Sequence, residues 1–105
     1  NYTVADADTG KTFTSKTKDV VFTLPAITIG RVFTFVNTAA DGANNLTISP
    51  NAADGILYAG DLTDNKDIIN TQATSKVGDF IVCASLNSTA FWTVVDVQGV
   101  FAKES

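Results

Sequence analysis

The chain has 105 residues, a formal net charge of −4, no histidine and a single cysteine, and it is 45% hydrophobic but only 17% charged. A chain of this length fits one domain that buries roughly 65% of the surface exposed by its unfolded state. The acidic charge opposes binding to a nucleic-acid backbone, and no apolar run reaches the ~18 residues that span a bilayer, so the sequence predicts neither kind of partner.

Short runs of β-prone residues, separated by turn residues about every ten positions, predict an all-β domain. In chain order the predicted strands are residues 2–7, 12–14, 20–24, 32–36, 46–48, 56–58, 80–86, 91–97 and 100–102. In residues 20–24, 32–36 and 46–48, alternate side chains form one apolar face, which is the period of two expected of a half-buried strand. Pro25 removes a backbone donor between the first two of these runs, and Gly30 restarts the chain.

The strongest hairpin signal joins residues 80–86 to residues 91–97 through the polar loop 87–90, and it predicts two adjacent central strands. Within the second run, Trp92 and Val94 share one face of the strand and Phe91 and Thr93 share the other. This alternation predicts that Trp92 is a core residue whose indole N–H needs an acceptor. Phe91, or an exposed ring of Phe101, is then the aromatic candidate for an interface.

Residue types that carry most enzyme chemistry are missing or badly spaced. The lack of histidine removes the commonest general base and most zinc sites, and residues 10–12 imitate the end of a phosphate-binding loop without its earlier glycine. Asp79 and Asp96 are the candidate carboxylate pair, although a solvated turn aspartate is the ordinary role for Asp79. The polar loop 61–67 offers oxygen ligands with the spacing of no known calcium loop. The sequence therefore predicts no enzyme, no cofactor and no metal.

Two predicted strands carry an apolar surplus. Residues 32–36 and 80–84 have apolar side chains at both parities, and a domain this small cannot bury two faces of several strands in one core. The extra apolar face is expected to meet another protein, either a copy of this chain or a larger surface, and closed symmetric homo-oligomers are the usual solution.

The pattern resembles the small β-domains of tailed-phage virion proteins, in particular capsid decoration (cement) proteins and the related modules of tail and head fibres. The residues that carry the resemblance are Phe22-Thr23-Leu24-Pro25, Gly30, Phe33-Thr34-Phe35-Val36-Asn37, Leu46-Thr47-Ile48, Gly78-Asp79-Phe80-Ile81-Val82, Trp92 and Gly99. The resemblance covers residues 11–102, and its motifs are structural.

This resemblance implies a single compact domain over residues 1–105, built as an antiparallel β-sandwich of the jelly-roll or tulip-like kind. It also implies a homotrimer on the outer capsid surface of a virion, bound to the major capsid protein at junctions between capsomers, with no catalytic residue. A short N-terminal arm (about residues 1–8), a C-terminal tail (about residues 100–105) and the loop 61–67 are the parts expected to reach the shell.

The interface candidates are Asn1, Tyr2, Thr3, Val4, Asp61, Asp64, Asp67, Phe91, Val100 and Phe101. A competing interpretation is a carbohydrate- or receptor-binding module of a tail or head fibre. In that module Tyr58, Phe91 and Trp92 would supply stacking surfaces. An isolated carbohydrate-binding module needs no self-association, whereas the double-sided apolar pattern predicts it.

Overall fold

Strands make up most of the regular structure in a computed structural model that describes residues 1–104. The strands are β1 (Tyr2–Thr3), β2 (Thr12–Ser15), β3 (Val20–Thr23), β4 (Val32–Asn37), β5 (Leu46–Ser49), β6 (Gly55–Leu57), β7 (Ile68–Asn70), β8 (Phe80–Ala84), β9 (Phe91–Gln98) and β10 (Phe101–Lys103). The helical pieces in this described range are two short 3-10 turns, Asp6–Asp8 and Gln72–Thr74. The all-β prediction is therefore confirmed.

The strands form two five-stranded sheets. The first sheet has the order β1-β3-β5-β7-β10, and the second has the order β2-β4-β8-β9-β6. Four of the strand pairings in residues 1–104 are parallel, namely β1–β3, β2–β4, β3–β5 and β6–β9, and four are antiparallel. Both sheets are therefore mixed, and the expectation of antiparallel sheets is corrected.

The chain alternates between the two sheets from β1 to β8, and three of the four parallel pairs join strands separated by one strand of the opposite sheet. A parallel pair needs a crossover connection of about a dozen residues or more, and here the crossover from β1 to β3 contains β2, a strand of the opposite sheet. The same relation holds for β2 and β4, with β3 between them, and for β3 and β5, with β4 between them. A strand of the other sheet thus replaces the helix that usually makes such a crossover.

One apolar core lies between the sheets. Phe22 of the first sheet and Phe35 of the second have ring centroids 5.2 Å apart. Trp92 is fully buried, as the sequence predicts, and its ring centroid lies 5.5 Å from that of Phe33. With a radius of gyration of 12.5 Å, the protein has the size of one compact domain of about 100 residues.

The predicted hairpin is confirmed, because β8 and β9 are neighbours and pair antiparallel. Val82 pairs with Asp96 and Phe80 pairs with Gln98, and the register shifts at a bulge beside Val82 and Cys83. Cys83 pairs with Val94 and Val82 pairs with Asp96, so Val95 is the extra residue of β9. A bulge of this kind bends the strand, here between the first half of β9 and its second half.

Candidate functional site

The outer face of the second sheet is the side of that sheet that points away from the core. Strand register arranges it in three rows: Thr12, Thr34, Val82 and Asp96; Thr14, Val36, Phe80 and Gln98; and Val32, Ala84, Thr93 and Leu57. Among these twelve residues Asp96 is the one charged side chain. We call these twelve residues the apolar face, because Val36, Phe80, Val82 and Ala84 adjoin on its central strands β4 and β8.

The apolar face contains the surplus that the sequence pattern singles out. Phe33 and Phe35 of β4 are fully buried, so Val32 and Val36 lie on the opposite side of the strand. Ile81 is likewise buried in β8, which places Phe80 outward. Val32 is 37% exposed, whereas Val36 and Phe80 are half-buried.

The outer face of the first sheet has a different character. One of its rows consists of Thr3, Thr23 and Ser49, and the next consists of Val21, Thr47, Ile69 and Ala102. Hydroxyl side chains keep their hydrogen bonds to water there, so this face has less to gain from being covered. These seven residues of the first sheet include no charged side chain, so the two outer faces are alike in carrying little charge. They differ in their central strands, because Val36, Phe80, Val82 and Ala84 adjoin on the second sheet, and that face is the candidate binding surface.

A groove of about 430 Å³ borders the apolar face beside β9. It is lined by Leu57, Tyr58, Ala59, Thr93, Val94, Val95, Asp96 and Val97. The groove exists because β6 ends at Leu57 and the chain then turns away from β9. Tyr58 and Asp61 exchange backbone hydrogen bonds of 3.2 and 3.0 Å across this turn, whose central residue Ala59 has a φ of 51°.

The predicted N-terminal arm (about residues 1–8) is hydrogen-bonded to the rest of the fold. Val4 is only 1% exposed, and its N–H donates to the Thr23 carbonyl at 2.8 Å. Tyr2 and Thr3 form β1 and pair with β3. The Asn1 side-chain oxygen accepts a hydrogen bond from the Val21 N–H at 3.1 Å. Asn1, Tyr2 and Thr3 are exposed at the edge of the first sheet, but Val4 belongs to the core.

Asp8 anchors the same segment from the other end. Its carboxylate accepts hydrogen bonds from the Ala5 N–H, the Lys11 ammonium and the Tyr2 hydroxyl at 3.0, 2.9 and 2.9 Å. These three donors, led by the Ala5 N–H, lower the pKa of Asp8 to about 2. The segment is thus tied down by a charged side chain as well as by strand pairing.

The C-terminal candidates are divided in the same way. Phe101 is only 6% exposed, so the expectation of an exposed ring is wrong, whereas Val100 is 57% exposed. β10 pairs with β7 at the edge of the first sheet opposite to β1. The predicted arm and tail therefore lie at opposite edges of one sheet, and residue 105 lies outside the described part of the chain.

The loop 61–67 is a loop as predicted, and its three candidate aspartates make local contacts, Asp61 through its carboxylate and Asp64 and Asp67 through their backbone. Asp61 accepts a hydrogen bond from the Thr63 N–H at 2.8 Å, and this bond lowers the pKa of Asp61. Asp64 forms a β-bridge with Gly55, and the Asp67 N–H donates to the Glu104 carboxylate at 2.9 Å. Within residues 1–104 the structure contains no group of three or more side chains arranged to hold a metal ion.

Other residues that the sequence singled out are also separated. Asp79 is buried and hydrogen-bonded to Asn70, whereas Asp96 is exposed on the apolar face, so the two carboxylates do not share a cleft. Phe91 is half-buried and pairs with Gly55. Burial raises the pKa of the Cys83 thiol to about 12, which keeps this cysteine in its unreactive form.

Sequence reasoning identified the valines of the apolar face but missed the groove. The strand pattern locates apolar positions, whereas the groove depends on where β6 stops pairing with β9, which is a property of two distant segments. The described part of the chain contains no helix with the length and apolar character needed to span a bilayer. No protein-family model matches the sequence, and no curated protein matches it.

Proposed function

We propose that this protein is a structural, non-catalytic virion protein that binds the outside of a phage capsid and stabilises contacts between capsomers. The observation that carries the proposal is the apolar face, in which one charged side chain occurs among twelve outward residues. Depletion of charge is typical of the fully buried centre of protein interfaces. The resemblance of the sequence to decoration proteins supplies the choice of partner, the major capsid protein.

The apolar face suits protein contact because covering it has a low desolvation cost. Removing a charged group from water costs several kcal/mol in practice. On this face Asp96, at the margin, is the one charged side chain that binding would desolvate. Each Å² of apolar surface removed from water contributes about 25 cal/mol. Val32, Val36, Phe80 and Val82 supply that surface on a rigid support, so little conformational entropy is lost on binding.

The mechanism is thermodynamic. A protein that binds only the assembled shell stabilises that shell by mass action. A homotrimer presents three apolar faces at once, and linked weak contacts give an avidity that exceeds the affinity of one contact. The proposal therefore includes self-association into a homotrimer on the outer capsid surface, and it requires neither a cofactor nor nucleic acid.

The finer fold assignment within this proposal is a β-sandwich. The core shared by the two sheets supports it, and stacked sheets of this kind fill the space between them with side chains from both inner faces. Jelly-roll connectivity is not retained, because a jelly roll is an antiparallel double Greek key and four pairings here are parallel.

Co-sedimentation with capsids tests the proposal. Val82→Glu places a charge at the centre of the apolar face, and Thr47→Glu places the same charge on the hydroxyl-rich face of the first sheet, where Thr47 is equally half-buried. We expect the native chain and Thr47→Glu to pellet with shells assembled from the major capsid protein of the same phage, and Val82→Glu to stay in the supernatant. Equal pelleting of both variants would contradict the proposal, as would failure of the native chain to pellet.

The groove favours a second candidate function, a carbohydrate- or receptor-binding module of a tail or head fibre. Tyr58, Thr93 and Asp96 give it an aromatic ring, a hydroxyl and a carboxylate, which are the groups that stack on and hydrogen-bond to sugars. Trp92 takes no part, because it is fully buried. A glycan array separates the two functions, since a sugar ligand would be lost in Tyr58→Ala and unaffected by Val82→Glu.

A further inference from the structure

Strand β9 is longer than the strand beside it. It runs from Phe91 to Gln98, but β6 pairs with its first three residues alone, from Phe91 to Thr93. After Leu57, the last residue of β6, the chain turns away at Tyr58. The groove of about 430 Å³ lies beside the part of β9 that follows Thr93, where further residues of β6 would otherwise pair. The second half of β9 therefore has one paired side, towards β8, and one open side, towards the groove.

The hydrogen bonds of β4 and β8 determine which backbone groups face the groove. The Asn37 N–H donates to the Asp79 carbonyl, and the Ser85 N–H donates to the Arg31 carbonyl, so the odd-numbered residues of β8 bond to β4. In an antiparallel ladder the direction alternates along the strand, so the even-numbered residues of β8 bond to β9. These pair with Asp96 and Gln98, and the N–H and C=O of Val97 consequently face the groove.

A side chain already occupies the acceptor position at this open edge. The Asp96 carboxylate accepts a hydrogen bond from the Val97 N–H at 2.9 Å, where a neighbouring strand would place a backbone carbonyl. Asp96 itself is exposed, and within residues 1–104 its carboxylate accepts no other hydrogen bond. Charged side chains at a sheet edge prevent uncontrolled pairing with other chains, and this one can move aside when a strand is added.

We infer that the groove is a strand-addition site that binds an extended peptide segment of a partner protein. The segment pairs with β9 through the N–H and C=O of Val97, places an apolar side chain against Tyr58, which packs on the core side of the sheet, and presents lysine or arginine to Asp96 on the outer side. Backbone bonds supply affinity in this recognition mode, and alternate side chains supply specificity. The site does not depend on the proposed function, because any protein with such a segment satisfies it.

Charge selects the occupant. Asp96 is the one charged residue among the eight that line the groove, and the chain as a whole carries a net charge of −4. A second copy of β9 pairing antiparallel across the edge would bring two Asp96 carboxylates close together, which is destabilising for like charges on neighbouring strands. A basic segment of a different protein instead gains an ion pair when Asp96 releases Val97.

Nuclear magnetic resonance with a synthetic peptide tests the inference. The probe is acetyl-Thr-Val-Lys-Val-Lys-Val-Thr-amide, added to the uniformly ¹⁵N-labelled full chain. We expect the largest amide shifts at Val95 and Val97, and slower amide exchange at Val97. A peptide of the same sequence with backbone N-methylated valines and lysines keeps the charge but has both of its edges blocked, so it should shift neither amide. Unchanged Val95 and Val97 resonances, or equal binding of the methylated peptide, would overturn the inference.

A charge swap tests the role of Asp96. Asp96→Lys should weaken binding of the lysine peptide about two- to fivefold, the effect of one exposed ion pair, and should improve binding of a peptide with glutamate in place of lysine. Asp64→Lys, in the loop 61–67, changes the net charge by the same amount. It should change the affinities for the lysine peptide and the glutamate peptide only by as much as the altered net charge does. An unchanged preference in Asp96→Lys would overturn the charge assignment. A sugar that shifts the Val97 amide where the peptide does not would assign the groove to carbohydrate instead.

Discussion

The Asn37 side-chain amide donates a 2.8 Å hydrogen bond to the Asn70 side-chain oxygen, and this bond joins β4 of the second sheet to β7 of the first. Asn70 extends this hydrogen-bond network, because its own amide donates to the Asp79 carboxylate and to the Val100 carbonyl, each at 3.1 Å. Asn37 and Asn70 are fully buried and Asp79 is 3% exposed. A polar chain thus links the two sheets at one end of the otherwise apolar core.

We expect Asn70→Ala to lower the free energy of unfolding by at least about 2 kcal/mol. The substitution leaves the Asn37 amide and one Asp79 contact without a partner, and each buried polar group left unsatisfied costs ~1–3 kcal/mol. Urea unfolding followed by circular dichroism measures the loss. The control Asn87→Ala removes an exposed amide and should stay within about 0.5 kcal/mol of the native chain. Similar losses for the two variants would show that the link between the sheets contributes little.

Gly99→Ala is expected to disrupt the same region more severely. A methyl group at position 99 would overlap the Asp79 carboxyl group, and Gly99 has a φ of 103°. Gly10→Ala is a matched control, because Gly10 has a φ of 85° and open space where its methyl group would lie. Backbone strain alone should cost roughly 1–3 kcal/mol in Gly10→Ala, and thermal unfolding should show a clearly larger loss in Gly99→Ala. Equal melting temperatures would mean that Asp79 moves aside freely.

Trp92→Ala should cost roughly 3–5 kcal/mol, because it removes the largest fully buried side chain and leaves a cavity beside Phe33. Circular dichroism in urea is the suitable measurement, since the variant has no tryptophan fluorescence. Phe91→Ala, at the half-buried neighbour on the opposite side of β9, is the control and should cost less. A loss below about 1 kcal/mol in Trp92→Ala would contradict the core position.

Burial of individual strand residues could be predicted from the sequence because it depends on local alternation. Trp92 follows the parity of its strand, and the hairpin of β8 and β9 follows from two adjacent β-prone runs. Position near a chain end makes Val4 and Phe101 interface candidates, whereas a backbone hydrogen bond to Thr23 and pairing with β7 respectively carry these two residues into the core. Alternation predicts which side chains share one face of a strand. It does not predict whether a strand near a chain end pairs with the rest of the sheet.

Sheet membership could not be predicted in the same way. The alternation in residues 20–24 and 32–36 is equally compatible with two neighbouring strands and with strands of opposite sheets, and the chain uses the second arrangement. Asn37, Asn70 and Asp79 are far apart in sequence and polar, so no local pattern predicts that they meet in the interior. The open side of β9 was missed for the same reason, since it follows from the length of β6.

Acid unfolding should depend on Asp8. Its pKa is lowered in the folded state from 3.8 to about 2 by the Ala5 N–H, Lys11 and Tyr2, so the ionised carboxylate stabilises the folded state. That contribution is fully present above pH 3.8 and is lost as the pH falls through about 2. Urea midpoints measured across this window should fall less steeply in Asp8→Asn than in the native chain. Parallel pH profiles would show that Asp8 is not held by these donors.

Ionisation of Asp54 should destabilise the folded state, whereas ionisation of Asp8 stabilises it. Asp54 is 6% exposed, its Oδ2 has no hydrogen-bond partner among residues 1–104, and burial raises its pKa. A raised pKa means that the ionised form is disfavoured in the folded state, so stability decreases as the pH rises above the ordinary carboxyl value. The Ile27 N–H is a hydrogen-bond donor to the Asp54 carboxyl group and partly opposes this rise in pKa. Asp54→Asn removes the buried charge and keeps an oxygen that can accept from this N–H.

We therefore expect Asp54→Asn to be more stable than the native chain at pH 7, and the gain to shrink as the pH is lowered towards 4 because the native carboxyl becomes neutral. Urea unfolding at both pH values measures the difference. Asp19→Asn is the control, because Asp19 is exposed and its side chain accepts the Asn45 N–H at 2.9 Å, so its loss should not stabilise the fold. A loss of stability in Asp54→Asn at pH 7 would show that a water molecule or cation satisfies the buried oxygen.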